Sequence, residues 1–342
     1  MERDEPLASS PTLCRFESRA DRQAVWRMPE VLVEQFIRSG KRAAKEWILD
    51  FDATDEAVHG KQEGRFFHGF YDPYCFLPLY VFCAEQRLVS YLRPSNSDAA
   101  RHAWAILALL VKRLRQAWPK VRIIFRGDSG FCRWRMLAWC ERHAVGYIVG
   151  LAKNSRLLTL AEPWLNRVEG RFKETGTKQR RFASVRYAAL SWDRPRRVII
   201  KAECTEKGRN PRFVVTNLTA GPKALYDTVY CARGDMENRI KEQQLDLFAD
   251  RTRCHRGWPN PFRLLLSSLA YSLLEALWRL ALQATALAKA QAGTIRLKLL
   301  KIGAVVLRNT RRVRLLLSGS YPNPIYSSKS LLDCHRAEPG RP

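Results

Sequence analysis

Val121-Arg-Ile-Ile-Phe-Arg-Gly-Asp-Ser-Gly130 is an apolar run that ends on an acid followed by small residues. It reads as a short buried strand, Val121–Phe125, carrying Asp128 just beyond its tip. Upstream, Trp47-Ile-Leu-Asp-Phe-Asp52 has the same form. Asp50 and Asp52 alternate with apolar residues there, so both point to one face and parity does not choose between them. In an open sheet, sites form in the crevice outside strand ends. Small neighbours, Ala53-Thr54 and Ser129-Gly130, leave room for a ligand.

Working outward, Arg22–Gly40 has the pattern of an amphipathic helix. Phe66–Phe82 reads as strand, break at Asp72-Pro73, and strand again. Gln86–Arg93 is a further strand. Ala99–Trp118 is a helix closed by Pro119. Phe131–His143 is a helix and Gly146–Ala152 a strand. Between 153 and 222 the texture becomes short β-like pieces, Phe182–Leu190, Arg197–Ala202 and Arg212–Asn217, with basic turns between them. Lys223–Phe248 is helical. A long apolar helix then runs to about Gln291, with Asn260 as its expected N-cap and Pro261 at its first position.

An antiparallel group followed by βα units predicts an α/β fold: a mixed sheet with flanking helices, in the element order of an RNase H-like core, interrupted by a small β-rich insertion. The expected organisation is an N-terminal helical remnant (1–46), a first core part (47–152), the insertion (153–222), core C-terminal helices (223–291) and a basic tail (292–342). The tail interleaves apolar residues from Ile295 to Ile302 with Arg and Lys, the pattern of a basic amphipathic helix.

Charge narrows the partner. Lys and Arg number 59 against 33 Asp and Glu, a formal net charge of +26. Such a field draws polyanions, and nucleic acid is the default one. No acidic residue stands between Ala276 and Leu332. The nine cysteines form no CxxC pair, so neither a disulfide framework nor a zinc cluster is expected. Reduced thiols and an acidic, polar start, MERDEPLASS, without a signal-peptide pattern lead to the expectation of a cytoplasmic protein. The most apolar stretch, Leu264–Trp278, contains Glu275 and is flanked by Arg263 and Arg279. It reads as a buried helix, with no membrane partner.

Phosphodiester chemistry by two divalent cations requires hard anionic oxygen ligands gathered from distant segments. Asp128 and an Asp of the first strand supply two. A third comes from Tyr230-Cys-Ala-Arg-Gly-Asp-Met-Glu-Asn-Arg-Ile-Lys241. Arg233, Glu237 and Lys241 are four apart and share a helical face. Taken singly, each acid reads equally as a helix cap or as one half of an exposed ion pair.

Three segments together resemble the acid-bearing motifs of bacterial insertion-sequence DDE transposases with a β insertion between the second and third acids. They are Asp52-Ala-Thr54, Arg126-Gly-Asp-Ser-Gly-Phe131 and Tyr230 to Phe248. The resemblance runs from about Leu7 to about Val313. It implies that Asp52, Asp128 and Glu237 are the catalytic, metal-binding acids, holding two Mg²⁺ ions that Mn²⁺ can replace. It also implies that Tyr230 and Arg233 contact DNA phosphate. The family signature continues with Lys seven residues after the Glu. Position 244 here is Gln, and Lys241, one turn earlier, is the expected substitute. Within the insertion, Trp192 is the candidate to stack on a flipped base. The implied activity is strand cleavage and strand transfer on double-stranded DNA, at element ends and target, by a homodimer. Members of the family usually carry a longer N-terminal region. A truncated copy that only binds DNA is therefore the alternative expectation, beside an RNase H-like nuclease.

Overall fold

The computed structural model describes residues 9–40, 45–255, 257–301, 304–310 and 313–317. They form two compact units. One comprises the described residues of Val33–Ala57 and Gly64–Asn238, the other those of Met1–Leu32, Val58–Glu63 and Arg239–Pro342.

The larger unit is built on one nine-stranded sheet. Its strands are β1 (Glu46–Ala53), β2 (Leu79–Cys83), β3 (Gln86–Tyr91), β4 (Arg122–Gly127), β5 (Gly146–Leu151), β6 (Gln179–Tyr187), β7 (Arg196–Thr205), β8 (Gly208–Arg209) and β9 (Arg212–Thr216). The order β3-β2-β1-β4-β5 is the RNase H-like core. β1–β2 and β2–β3 are antiparallel, whereas β1–β4 and β4–β5 are parallel. Parallel neighbours need crossovers, and helices Ala103–Ala117 and Trp134–Arg142 provide two of them.

Period-2 alternation sorts the strand residues between two faces. Leu49, Phe51, Ile123, Phe125, Tyr147 and Val149 enter the large core. Ile124, Ile148, Ile199 and Val214 enter a smaller core on the other face, against Leu225 and Tyr226. Asp50 and Asp52, out of phase with Leu49 and Phe51, belong to that second side.

The 153–222 segment continues the sheet instead of standing apart from it. β9 pairs antiparallel with β5, then β7 with β9 and β6 with β7. Its three longer strands lie where the sequence places them. The helix Ser155–Thr175 ahead of them was not expected. It is capped by the Asn154 side chain, which accepts from the Leu157 N–H at 2.9 Å, and it ends at Gly176 with φ 65°. In chain order the helices are α1 (Ser10–Ser18), α2 (Arg22–Ser39), α3 (Ala103–Ala117), α4 (Trp134–Arg142), α5 (Ser155–Thr175), α6 (Gly234–Asp246) and α7 (Pro259–Leu277).

In the smaller unit, α7 packs Phe262 edge-on to Phe16 of α1, with centroids 5.4 Å apart. Three expectations are corrected here. The helix starts at Pro259, and Asn260 does not cap it. The buried Asn260 amide instead accepts from Cys254 N at 2.9 Å and donates to Cys254 O at 2.8 Å, satisfying both peptide groups of a loop residue. The helix also stops short of Gln291. It widens into a π turn over Trp278–Leu282 and gives way to turns. Among the described residues of the tail, helix runs from Ala292 to Leu300, and Ala304–Arg308 then pairs antiparallel with Val313–Leu317. By length and composition, Pro259–Leu282 could cross a membrane, at mean hydropathy 1.3. Its Ser267 and Ser268 hydroxyls, however, accept from the buried Gln243 amide at 3.1 Å each, the contacts of a core helix. All eight described cysteines are free.

Candidate active site

The parallel register of β1 and β4 fixes two of the acids. Phe51 is opposite Gly127, so one further step sets Asp52 beside Asp128 at the strand ends. The third arrives by a helical stretch that begins at Pro222. It has π geometry over Leu225–Tyr230 and tightens to a 3-10 turn over Cys231–Arg233 before α6. Such irregular turns re-aim side chains and recur at functional sites. This one presents Tyr230, Arg233 and Glu237 to the second face of the sheet.

Asp50 and Asp52 have different partners despite their common face. Both carboxylate oxygens of Asp50, which is 3% exposed, accept from the Arg126 guanidinium. Arg126 also donates to the Val229 carbonyl, tying β1 and β4 to the turn before Tyr230. Asp50 is thus committed to a buried bidentate pair. Asp52 instead accepts from Arg233 Nη1 at 3.3 Å, and Arg233 Nη2 donates to Glu237 Oε1. One guanidinium therefore serves two acids.

That arrangement leaves negative charge in excess. Burial pushes the Asp52 carboxyl up to about 7, Arg233 opposes the shift, and the Asp128 and Glu237 charges add to it. Burial works against the Arg233 charge, but Asp52 and Glu237 outweigh it and hold its pKa above the ordinary value. Asp128 combines the two readings that its sequence context allows. Its Oδ1 accepts from Gly130 N at 2.9 Å and caps the 3-10 turn Ser129–Phe131, while its charge is felt by Asp52.

Two more residues frame the site, neither singled out from the sequence. A Cβ on Gly150 would lie 2.7 Å from the Tyr230 hydroxyl and 2.8 Å from Ser129 N. No side chain fits, and the Ser129 peptide cannot swing away as a flexible side chain could. Glycine at β5 thus lets Tyr230 and the Asp128–Ser129 backbone meet. Tyr71 donates to the Ala53 carbonyl at 3.3 Å. Its phenol is pushed up to about 12, first by burial and then by Asp55, Asp52 and Asp128. The sequence offers only an aromatic-rich stretch there.

Trp192 makes its ring contacts within the insertion. Trp192 is half-buried, edge-on to Tyr187 at 5.6 Å, with the Arg196 guanidinium 5.5 Å from its ring. Lys241 lies one turn beyond Glu237 on α6 and belongs to the smaller unit. Among the described residues, no group of three or more His, Cys, Asp or Glu side chains converges closely enough to hold a metal ion. Arg233 is the cation found between Asp52 and Glu237. The donor chemistry still suits a hard divalent cation: Asp52 feels the charges of Asp128 and Glu237, and its burial resists ionisation until more positive charge is supplied.

Adjacent parallel strand ends bearing two acids, faced by a helix bearing a third, define the class as an RNase H-like acid-bearing domain. The chain belongs to the family described as transposase DDE domain group 1, which it matches over residues 1–333. No curated protein matches it. Among solved structures it is similar to a piggyBac transposase, seen in a cryo-EM structure of its synaptic complex with hairpin DNA, at 11% identity and a TM-score of 0.40. The match covers 80% of this chain and 54% of that one, so the chain spans about half the length of that protein.

Proposed function

We propose that the chain cleaves DNA at the ends of an insertion sequence and joins the freed 3′ ends to target DNA, using Asp52, Asp128 and Glu237. The observation that carries this reading is the shared field of the three acids. Asp52 is raised by burial and by both other carboxylates, while Arg233 is divided between two of them. A structural acid is normally given its own partner, and perturbed acids cluster where chemistry is done.

The reaction is two phosphoryl transfers. Water displaces a 3′ oxygen of the element end, and that 3′-OH then displaces a 3′ oxygen of the target strand. Asp52, Asp128 and Glu237 would hold two Mg²⁺ ions, with Mn²⁺ able to substitute. When bound, these ions neutralise phosphate charge and favour the deprotonated oxygen nucleophile. Arg233, which stands between Asp52 and Glu237, would give its guanidinium to a DNA phosphate. The Tyr230 hydroxyl, held against Gly150, fixes the same phosphate. Lys241 supplies a further backbone contact, and Trp192 stacks on an unpaired base. The working form is a cytoplasmic homodimer that brings two element ends together.

The test is a DNA substrate carrying the element's terminal inverted repeats, with Mg²⁺, read for both nicking and joining. The reading expects both products from the wild type and neither from Asp128→Asn. Cleavage without joining would make the protein a nuclease. DNA binding without either product would make it a binding-only copy.

A further inference from the structure

A second candidate surface lies on α4, away from the three acids. The cleft has a volume of about 700 Å³, within the range of sites that enclose a small ligand. Trp104 of α3 and Trp134 of α4 line it, with Arg133 at the N-cap of α4, Arg135 and Arg142 from α4 and Arg194 from the turn between β6 and β7. Trp104 is 53% exposed, which is costly for an indole with no role in packing. The Arg135 guanidinium stands over the Trp134 ring at 5.4 Å. Arg133 is paired with Asp98 and Arg194 with Glu141. Among the described residues, neither Arg135 nor Arg142 has an acidic partner within ion-pair distance. The one acid in the lining, Asp193, is engaged by Arg196 at 2.8 Å.

Available aromatic faces beside uncompensated guanidinium groups are what an unpaired nucleotide requires: a surface for the base and charge for its phosphate. A duplex satisfies only the charge, because its base faces are already stacked. The geometry points to this cleft as a binding site for single-stranded DNA, with bases on Trp104 and Trp134 and phosphates on Arg135 and Arg142. This inference rests on the DNA-processing reading and extends it. α4 begins six residues after Asp128, so the strand leaving the acids has a receptor on the next element of the chain. The exposed Trp104 indole favours nucleic acid over an acidic peptide, which brings charge but no base to stack.

The experiment is fluorescence anisotropy on the full chain, with a short labelled oligo(dT) strand and a duplex of equal length at fixed salt. Trp104→Ala removes an exposed side chain and should weaken oligo(dT) about five- to tenfold while leaving the duplex within about twofold. The double variant Arg135→Glu, Arg142→Glu should weaken both probes and flatten the salt dependence. Trp104→Ala binding oligo(dT) as well as wild type overturns the inference, as does an equal loss for strand and duplex. Polyglutamate displacing oligo(dT) at equal concentration would also overturn it. If no variant of the chain cuts DNA yet Trp104 still governs oligo(dT) binding, the catalytic reading fails and the strand site stands.

Discussion

Asp52 on β1 and Glu203 on β7 belong to the same sheet, and their charges are handled in opposite ways. Glu203, with a side chain 5% exposed, is met by Lys201 at 2.8 Å and Lys178 at 2.9 Å. Burial alone would raise its carboxyl, but the two ammonium groups outweigh burial and hold it at about 2. Asp52, with a side chain 13% exposed, has half of one guanidinium and two acidic neighbours, and stands at about 7. Burial is the largest influence on both carboxyls and pushes both up; the two ammonium groups beside Glu203 reverse it, and the shared guanidinium beside Asp52 does not. Glu203 is compensated within the insertion, while Asp52 at the β1–β4 strand ends is left short of positive charge among the described residues.

The contrast is broken most severely at the acids themselves. Asp128→Asn and Glu237→Gln should each lower DNA cleavage by at least about 1,000-fold, measured on a labelled end substrate. Neither should lower the melting temperature. Asp52→Asn should raise stability by about 1 kcal/mol without divalent ions, since it removes an under-compensated charge. A large loss of stability in Asp52→Asn would mean that the acid is structural after all.

At the insertion the sign reverses. Glu203→Ala should destabilise by about 3 kcal/mol in denaturant unfolding, because it strands Lys201 in a buried position. Acid should remove the same contribution more gently. The Glu203 carboxyl is depressed from 4.5 to about 2, so its stabilisation is complete above pH 4.5. It then fades as pH falls toward 2, a loss of about 2–3 kcal/mol between those limits. A wild-type stability that falls no faster than that of Glu203→Gln across this window would contradict the pairing. Gly150→Ala should destabilise by about 1–2 kcal/mol, from overpacking against the Ser129 peptide. Cleavage there should fall about tenfold or more, because Tyr230 and Asp128 are displaced together.

Much of the core could be read from the sequence. The Trp47–Asp52 and Val121–Asp128 runs became neighbouring strands, and Phe182, Arg197 and Arg212 each lie in the strand expected of them. Periodicity carried those assignments because apolar alternation reports a sheet face directly. α5 had a signature too: Asn154, then Leu157, Ala161, Leu165 and Val168 near a spacing of four, then Gly176. Pro163 in its middle argues against a helix locally, and packing on β6 and β7 overrides that preference. Asn260 shows the converse, a cap signature diverted to a loop by a better pair of hydrogen bonds. In the site, the choice between Asp50 and Asp52 needed the motif, since strand parity treats them alike. Arg126 as the partner of Asp50, Tyr71 beside Ala53 and Gly150 beneath Tyr230 all depend on contacts between segments distant in sequence. No local pattern encodes such contacts.

The central claim is that Asp52, Asp128 and Glu237 form a charge deficit meant for divalent cations. Titration with Mn²⁺ followed by electron paramagnetic resonance tests it most directly, because free and bound ions are counted without any need for turnover. Wild type should bind Mn²⁺ competitively with Mg²⁺, and Asp128→Asn should lose that binding while keeping its fold. Equal binding in the two proteins would contradict the account.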